Sequence, residues 1–143
     1  MTALSKLYHI ADQEHIEVDC FDLGKREALS LMDEAGRCYI AIDPFRLVSA
    51  QDETMKLAHE LGHCLTGSFY NRHATVDCRQ KHENTADKWA VNQLITAEAL
   101  DEAVAQGYTE IWELAEHFDV TEAFMRKAVC YHVHGNVAIE LYF

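Results

Sequence analysis

The sequence is poor in proline and glycine, and it has no long apolar run. Its 143 residues include one proline and six glycines, without a low-complexity run. No apolar stretch approaches the roughly 18 residues that span a bilayer, and the N-terminus lacks the apolar core of a secretory signal. A chain of this length can bury roughly two thirds of its unfolded surface in one core. We therefore expect one domain over residues 1–143, located in the cytoplasm and without a membrane partner.

Basic residues are also scarce. The chain has 12 Lys and Arg against 24 Asp and Glu, a formal net charge of -12. None of the basic residues lies between Trp89 and Met125, where acidic residues are frequent. Surfaces that bind nucleic acid or anionic lipid need Lys and Arg to pair with phosphates. The charge pattern therefore predicts that nucleic acid is not a partner.

The cysteines do not form a recognisable framework. There are five of them, an odd number at irregular spacings and without a CxxC pair. Disulfide-rich domains and structural zinc sites both show regular cysteine spacings. We expect reduced thiols, most of them serving as small core residues.

Residues 1–47 are typical of a helix followed by a small sheet. Apolar residues recur at helical spacing over residues 3–11. Residues 16–23 alternate apolar and acidic side chains, and the segment EALSLMDEAGRCYIAI reads as a hairpin that turns at Gly36. We expect this part to form a small antiparallel sheet.

Residues 48–95 predict two helices. Ser49 is a suitable N-cap and Gly67 a suitable stop, which frames a helix from about Ala50 to Thr66. A polar loop follows, and a second helix is expected from about Glu83 to Ile95.

Residues 96–143 predict a helical C-terminal part. Thr96, Thr109 and Thr121 are candidate N-caps of three helices. The closing segment NVAIELYF is typical of a strand, which either rejoins the sheet or serves as a tail in association. Strands that precede a run of helices indicate the α+β class.

The stretch LAHELGHCL within the first of these two helices has the spacing of a metal site. On an α-helix, His59 and His63 lie four residues apart and project side by side, so both imidazoles can bind one ion. Glu60 is rotated by about 100° from His59, which places it beside the ion as a general base. In a chain this rich in His and Glu, however, HExxH arises by chance roughly once in twenty. A solvated helix face is therefore the alternative.

Support for a metal site comes from the second helix. Hydrolytic zinc sites have three protein ligands and leave one position open. Glu83 and Asp87 lie four residues apart, on the face shared with Ala90 and Leu94. Carboxylates among apolar residues need partners. A metal ion would be the partner of Glu83. The second ring nitrogen of a ligand histidine would be the partner of Asp87. The alternative is a pair of solvent-facing acids near a helix N-terminus.

These residues resemble the ImmA/IrrE family of metallopeptidases, in which HExxH is followed by ExxA[N/D]x[aromatic]A. The matching positions here are HELGH and then Glu83, Ala86, Asp87, Trp89 and Ala90. The order of the predicted elements is similar as well. The family's Leu-Leu-Met-Pro continuation is replaced by Leu-Ile-Thr without proline.

The resemblance implies a zincin-like fold and a zinc-dependent endopeptidase. Carried over by position, it implies that His59, His63 and Glu83 bind Zn²⁺, that Glu60 is the catalytic base, and that Asp87 supports the ligands. It further implies a regulatory protease that cleaves a helix-turn-helix repressor of a phage or mobile element. The oligomeric state does not follow from the sequence.

Two other functions remain open. Two histidines and one carboxylate also form the facial triad that holds iron(II) in oxygenases. The second function is that of a non-proteolytic antirepressor, which inactivates its partner by binding and keeps the metal site for structure. The Glu that directly follows the first His, together with the Glu83 and Asp87 pair, favours hydrolysis.

Several further patterns are weaker candidates. Residues 112–132 resemble a helix-turn-helix but carry few basic groups, so we favour a helical pair packed under the catalytic part. The spacing of His73, Cys78 and His82 fits no standard zinc site, and His132 and His134 are expected to be exposed polar residues at a helix end. The loop between the two central helices also offers candidates for a donor to the reaction's oxyanion, namely Tyr70, His73, Arg79 and His82.

Overall fold

A computed structural model of the chain describes residues 2–71 and 73–143. These residues form six α-helices and a three-stranded sheet, as the α+β prediction requires. In chain order the elements are α1 (Ala3–Gln13), β1 (Glu17–Cys20), β2 (Ala28–Met32), β3 (Cys38–Ile42), α2 (Ala50–Thr66), α3 (Val76–Leu94), α4 (Ala97–Ala105), α5 (Ile111–Phe118), α6 (Glu122–His134) and a short 3-10 helix (Ile139–Leu141). None of the described helices is both long and apolar enough to cross a membrane.

The sheet is mixed, whereas the sequence predicted an antiparallel one. Strands β2 and β3 form the expected antiparallel hairpin, but β1 pairs with β3 in parallel, in the order β1-β3-β2. Two chain reversals separate β1 from β3, so the two strands run in the same direction. Alternation of apolar residues identifies a strand without revealing its neighbour, and this is why the prediction of a wholly antiparallel sheet was wrong.

The central strand β3 supplies the sheet's contribution to the core. Its alternate residues Cys38, Ile40 and Ile42 are buried, and they face α2. Leu57, Ala58 and Leu61 are the fully buried residues of the opposing helix face. The sheet thereby supports α2 from behind, with β1 and β2 as its two edge strands.

Helix α2 has the predicted bounds. The Ser49 hydroxyl accepts a hydrogen bond from the Asp52 N–H, and Gly67 ends the helix in the left-handed region at φ 66°. Helix α3 begins at Val76, well before the predicted Glu83, because Thr75 caps it through the Cys78 N–H. The first two turns are mostly exposed and polar, so they carry no apolar periodicity from which a helix could be predicted.

The C-terminal part contains the predicted helices but not the predicted strand. Thr96 and Thr121 cap α4 and α6 as expected, whereas Glu110 occupies the N-cap position of α5 instead of Thr109. The segment NVAIELYF forms a 3-10 turn. Asn136 bends it by accepting a hydrogen bond from the Ala138 N–H, and Tyr142 stacks on His134 of α6.

Two cysteines depart from the expected reduced state. Cys38 on β3 and Cys64 on α2 form a disulfide, while Cys20, Cys78 and Cys130 are free. Sequence spacing could not indicate this pair, because its Cα atoms come within 5.9 Å only through the packing of the sheet on α2. The bond lies one residue after His63.

Helices α2 and α3 approach each other closely at Gly62. Gly62 lies so near Ala86 that a Cβ added to the glycine would come 2.5 Å from the Ala86 carbonyl oxygen and 2.9 Å from its Cα. Both residues are buried. Only a glycine allows this separation, and it brings the side chains of α3 within reach of the histidines of α2.

We expect Gly62→Ala to destabilise the protein. Helix propensity alone would stabilise such a variant by about 1 kcal/mol. The clash with the Ala86 backbone should instead reduce the free energy of unfolding by roughly 1–3 kcal/mol. Urea unfolding decides the sign, and a more stable variant would show that the two helices can separate without cost.

We expect the disulfide to stabilise the fold through the unfolded chain. It closes a loop with a sequence separation of 26, for which loop entropy predicts about 2–4 kcal/mol. Urea unfolding with and without a reductant should show this loss, and the Cys38→Ser, Cys64→Ser double variant should be insensitive to reductant. An equal response from the double variant would assign the effect to another thiol.

Candidate metal centre

Three side chains from α2 and α3 converge on one point. Within the described parts of the chain, His59, His63 and Glu83 form the group of donors that could hold a metal ion, with all ligand atoms within 4.8 Å of one another. The two Nε2 atoms of the histidines lie 3.2 Å apart. The Glu83 carboxylate approaches His59 Nε2 at 2.6 Å and His63 Nε2 at 3.3 Å. The structure thus places the three residues that the sequence suggested as ligands next to one another, although Glu83 lies 20 residues after His63.

The other nitrogen of each ring is already engaged. His59 Nδ1 lies 2.8 Å from the Asp87 carboxylate, and His63 Nδ1 lies 2.5 Å from the Ser68 carbonyl oxygen. Since both of these oxygens are acceptors, each Nδ1 carries the hydrogen and donates it. Both Nε2 atoms consequently face the shared point beside a carboxylate, where each can bind a metal once it carries no proton. This donor set fits a divalent metal such as zinc.

Asp87 connects this centre to the C-terminal helices. Its second carboxylate oxygen accepts a hydrogen bond from Lys127 Nζ of α6 at 3.0 Å. Burial raises the pKa of the Asp87 carboxyl, but the hydrogen bond from His59 and the charge of Lys127 lower it further than burial raises it. Asp87 therefore stays ionised although it is buried, and the hydrogen bond that orients His59 is retained.

The His59 ring and its two carboxylate partners shift one another's pKa values. Burial lowers the pKa of His59, but hydrogen bonds to Asp87 and Glu83 outweigh it and raise the pKa to about 10. Hydrogen bonds from His59 and then His63 hold the pKa of Glu83 well below its usual range. The metal-free His59 is thus an imidazolium between two carboxylates, so a metal must displace a proton at Nε2 to bind.

Glu60 lies beside this cluster and not within it. It lines a cavity of about 250 Å³ together with the candidate ligands His63 and Glu83. The rest of the lining comes from the loop after α2, from β2 and from a residue just before β2, namely Arg26, Leu29, Ser30, Leu31, Ser68, Phe69 and Tyr70. A second cavity of about 420 Å³ reaches His59 and Glu83 from the side of Asp87 and Lys127. Larger than both is a cavity of about 750 Å³, which lies against the disulfide and includes none of the three candidate ligands.

The loop between α2 and α3 contributes contacts that sequence reasoning only partly anticipated. Of the four residues proposed there as oxyanion donors, Tyr70 reaches the centre, and its hydroxyl donates to Glu83 at 2.7 Å. This hydrogen bond raises the pKa of Tyr70, so the hydroxyl keeps its hydrogen. Ser68 was missed because it acts through its main-chain oxygen, which has no sequence signature. Lys127 was missed as well, because it lies 40 residues after its partner Asp87.

The remaining histidine patterns lie outside the candidate centre. His73, Cys78 and His82 are not among the groups of close metal donors within residues 2–71 and 73–143. At the end of α6, the ring of His132 lies 2.6 Å from the Ile95 carbonyl oxygen, and the exposed His134 stacks on Tyr142. These contacts place both residues in the packing of the helix end.

The comparison with known families identifies the chain. The family model described as Peptidase M78, IrrE N-terminal-like domain, matches residues 25–129, a span that contains every residue of the centre described above. The chain belongs to the ImmA/IrrE family. No curated protein matches it. The resemblance seen in HELGH and in the segment around Glu83 is therefore confirmed. Membership of this peptidase family indicates a metallopeptidase with a protein substrate.

In the metal-free ImmA/IrrE protein we expect stability to fall as the pH rises. The pKa of His59 is about 10 when folded and 6.5 ordinarily, so its stabilisation is complete below pH 6.5 and is lost toward pH 10. Urea unfolding in EDTA at pH 6.5, 8 and 10 measures this change. Other groups titrate in the same range, so the wild type should be compared with His59→Gln. Equal slopes for the two proteins would contradict the assignment.

Proposed function

We propose that the chain is a zinc-dependent metallo-endopeptidase. The observation that carries this proposal is the shared cavity, in which Glu60 lies next to His63 and Glu83. A site that only held a metal for structure would need no carboxylate beside the ligands and no space for a substrate. Here the Glu60 carboxylate lies beside them and the cavity offers space for a substrate.

In this proposal His59 and His63 hold Zn²⁺ through Nε2, and Glu83 holds it through its carboxylate. The Asp87 carboxylate and the Ser68 carbonyl oxygen fix the two rings by accepting their Nδ1 hydrogens. Such outer hydrogen bonds set the tautomer and make the ligand nitrogens more basic. The Lys127 ammonium in turn neutralises the charge on Asp87.

The proposed chemistry divides between the metal and Glu60. Zinc held by His59, His63 and Glu83 would supply a Lewis acid for the scissile carbonyl and the attacking water. The Glu60 carboxylate accepts a proton from that water, and it later donates this proton to the leaving amine. Its partly exposed position in the cavity gives it access to both reactants.

For the substrate we propose a helix-turn-helix repressor of a phage or mobile element, which rests on the family resemblance. Such a substrate would place the protein in the cytoplasm. The acidic surface over α4 and α5 would not compete with the repressor for DNA. We also propose that residues 1–143 act as one unit, because Lys127 of the C-terminal part contacts the centre.

The metal can be tested independently of activity. Protein purified under anaerobic conditions should bind one zinc per chain, and His63→Ala should lose it. Full occupancy by iron(II) with turnover of an oxygenase cosubstrate would replace the peptidase proposal by a facial-triad oxygenase.

We expect Glu60→Gln to abolish peptide cleavage while zinc binding is kept. Loss of a general base typically costs about 10²–10⁴-fold in rate. The measurement is cleavage of a fluorogenic peptide library by the zinc-loaded protein, with zinc affinity from competition with a chelator. Glu53→Gln is the matched control, because it makes the same change on α2 outside the cavity and should retain wild-type activity.

The repressor can then be tested with the same variants. The product of a neighbouring repressor gene should be cut by the wild type and remain intact with Glu60→Gln. If Glu60→Gln still inactivated the repressor without cutting it, the protein would act as a non-proteolytic antirepressor.

A further inference from the structure

Tyr70 contacts the candidate ligand Glu83 and also lines the cavity beside Glu60. Its hydroxyl donates a hydrogen bond to Glu83 Oε1 at 2.7 Å, and its side chain lines the cavity that also contains Glu60. We propose that Tyr70 is a catalytic residue whose hydroxyl donates to the oxygen of the scissile carbonyl as negative charge develops there. This inference rests on the proposed peptidase function.

The backbone that leads to Tyr70 is attached to one of the ligands. Ser68 accepts a hydrogen bond from the ring of His63 and donates its own N–H to the His63 carbonyl oxygen at 3.1 Å. The Phe69 ring lies 6.0 Å from the His63 ring. The loop that carries Tyr70 is therefore aligned by the same histidine that would hold the metal.

The ring of Tyr70 is held from two sides. It stacks on His82 of α3 at a centroid distance of 6.2 Å and an angle of 25°. It also meets the edge of His63 at 6.5 Å and 69°. The fixed ring holds the hydroxyl oxygen in place, so its one hydrogen needs only to turn from Glu83 Oε1 to the substrate oxygen when charge appears there.

Exposure separates a donor to the substrate from a residue that only orients Glu83. Tyr70 is 40% exposed, although its ring is fixed and its hydroxyl is hydrogen-bonded. The residues that orient the histidines, Ser68 and Asp87, are buried. An orienting hydroxyl has no need of access to the cavity, whereas one that meets a substrate oxygen requires it.

The other residues suggested from the sequence as oxyanion donors are less suitable than Tyr70. Arg79 directs its Nε–H to the Ala74 carbonyl oxygen, and His82 lies against the Tyr70 ring. Neither is among the residues that line the cavity with Glu60, and His73 is not among them either. Arg26 does line this cavity, so it is the competing donor in the test below.

The experiment compares Tyr70→Phe with Tyr39→Phe. The first removes the hydroxyl and keeps the ring that packs on His82. The second makes the same change on β3, where the hydroxyl faces Asp33 and not the cavity. Three quantities are measured for each: zinc affinity by chelator competition, kcat and KM on the peptide that wild type cleaves best, and affinity for the phosphinic analogue of that peptide. Melting temperatures establish that both variants are folded.

If Tyr70 donates to the reacting oxygen, kcat of Tyr70→Phe falls about 10²-fold while KM changes little. Affinity for the phosphinic analogue falls by a similar factor, and zinc affinity stays near that of wild type. Tyr39→Phe matches wild type in all three measurements.

Other results overturn the inference. If Tyr70 only orients Glu83, zinc affinity drops about 10–100-fold and saturating zinc restores kcat. An unchanged kcat in Tyr70→Phe, with a large loss in Arg26→Gln, transfers the role to Arg26. If wild type cleaves no peptide, the proposed function fails and this inference fails with it. If wild type cleaves peptides and Tyr70→Phe is equally active, only the role of Tyr70 is refuted.

Discussion

The close contact between α2 and α3 at Gly62 and Ala86 is the constraint on which the centre depends. The two histidines lie on one helix and the carboxylates Glu83 and Asp87 on the other, so the distance between the helices sets every distance between a histidine and a carboxylate. A side chain at Gly62 would collide with the backbone of α3. This backbone contact brings the two histidine side chains and the two carboxylates within hydrogen-bond distance of one another.

The rest of the chain supports this crossing through contacts that begin at the ligands. The sheet packs behind α2, and the Cys38–Cys64 disulfide joins it to the helix next to His63. Lys127 on α6 reaches Asp87 from the opposite side. The same contacts place His59 between the Asp87 and Glu83 carboxylates, which raise the pKa of its ring.

Predictions succeeded where the signal was local. Helix α2 has the predicted limits because capping by Ser49 and a left-handed Gly67 depend on adjacent residues alone. The start of α3 was missed because its first turns are exposed and polar, and helix formation there depends on Thr75. The final segment has strand composition, but Asn136 and the stacking of Tyr142 on His134 turn it back onto α6. Such contacts have no periodicity in the sequence.

The sequence by itself determined the family through HELGH and the segment around Glu83, and helical spacing put His59 beside His63 and Glu83 beside Asp87. Only the tertiary structure decided which ring nitrogens face the centre, since this depends on acceptors from Asp87 and from the main chain of Ser68. It also decided the pairing of β1, the disulfide and the position of Tyr70. Each of these is a contact between segments whose separation in space is set by packing, which one-dimensional spacing does not encode.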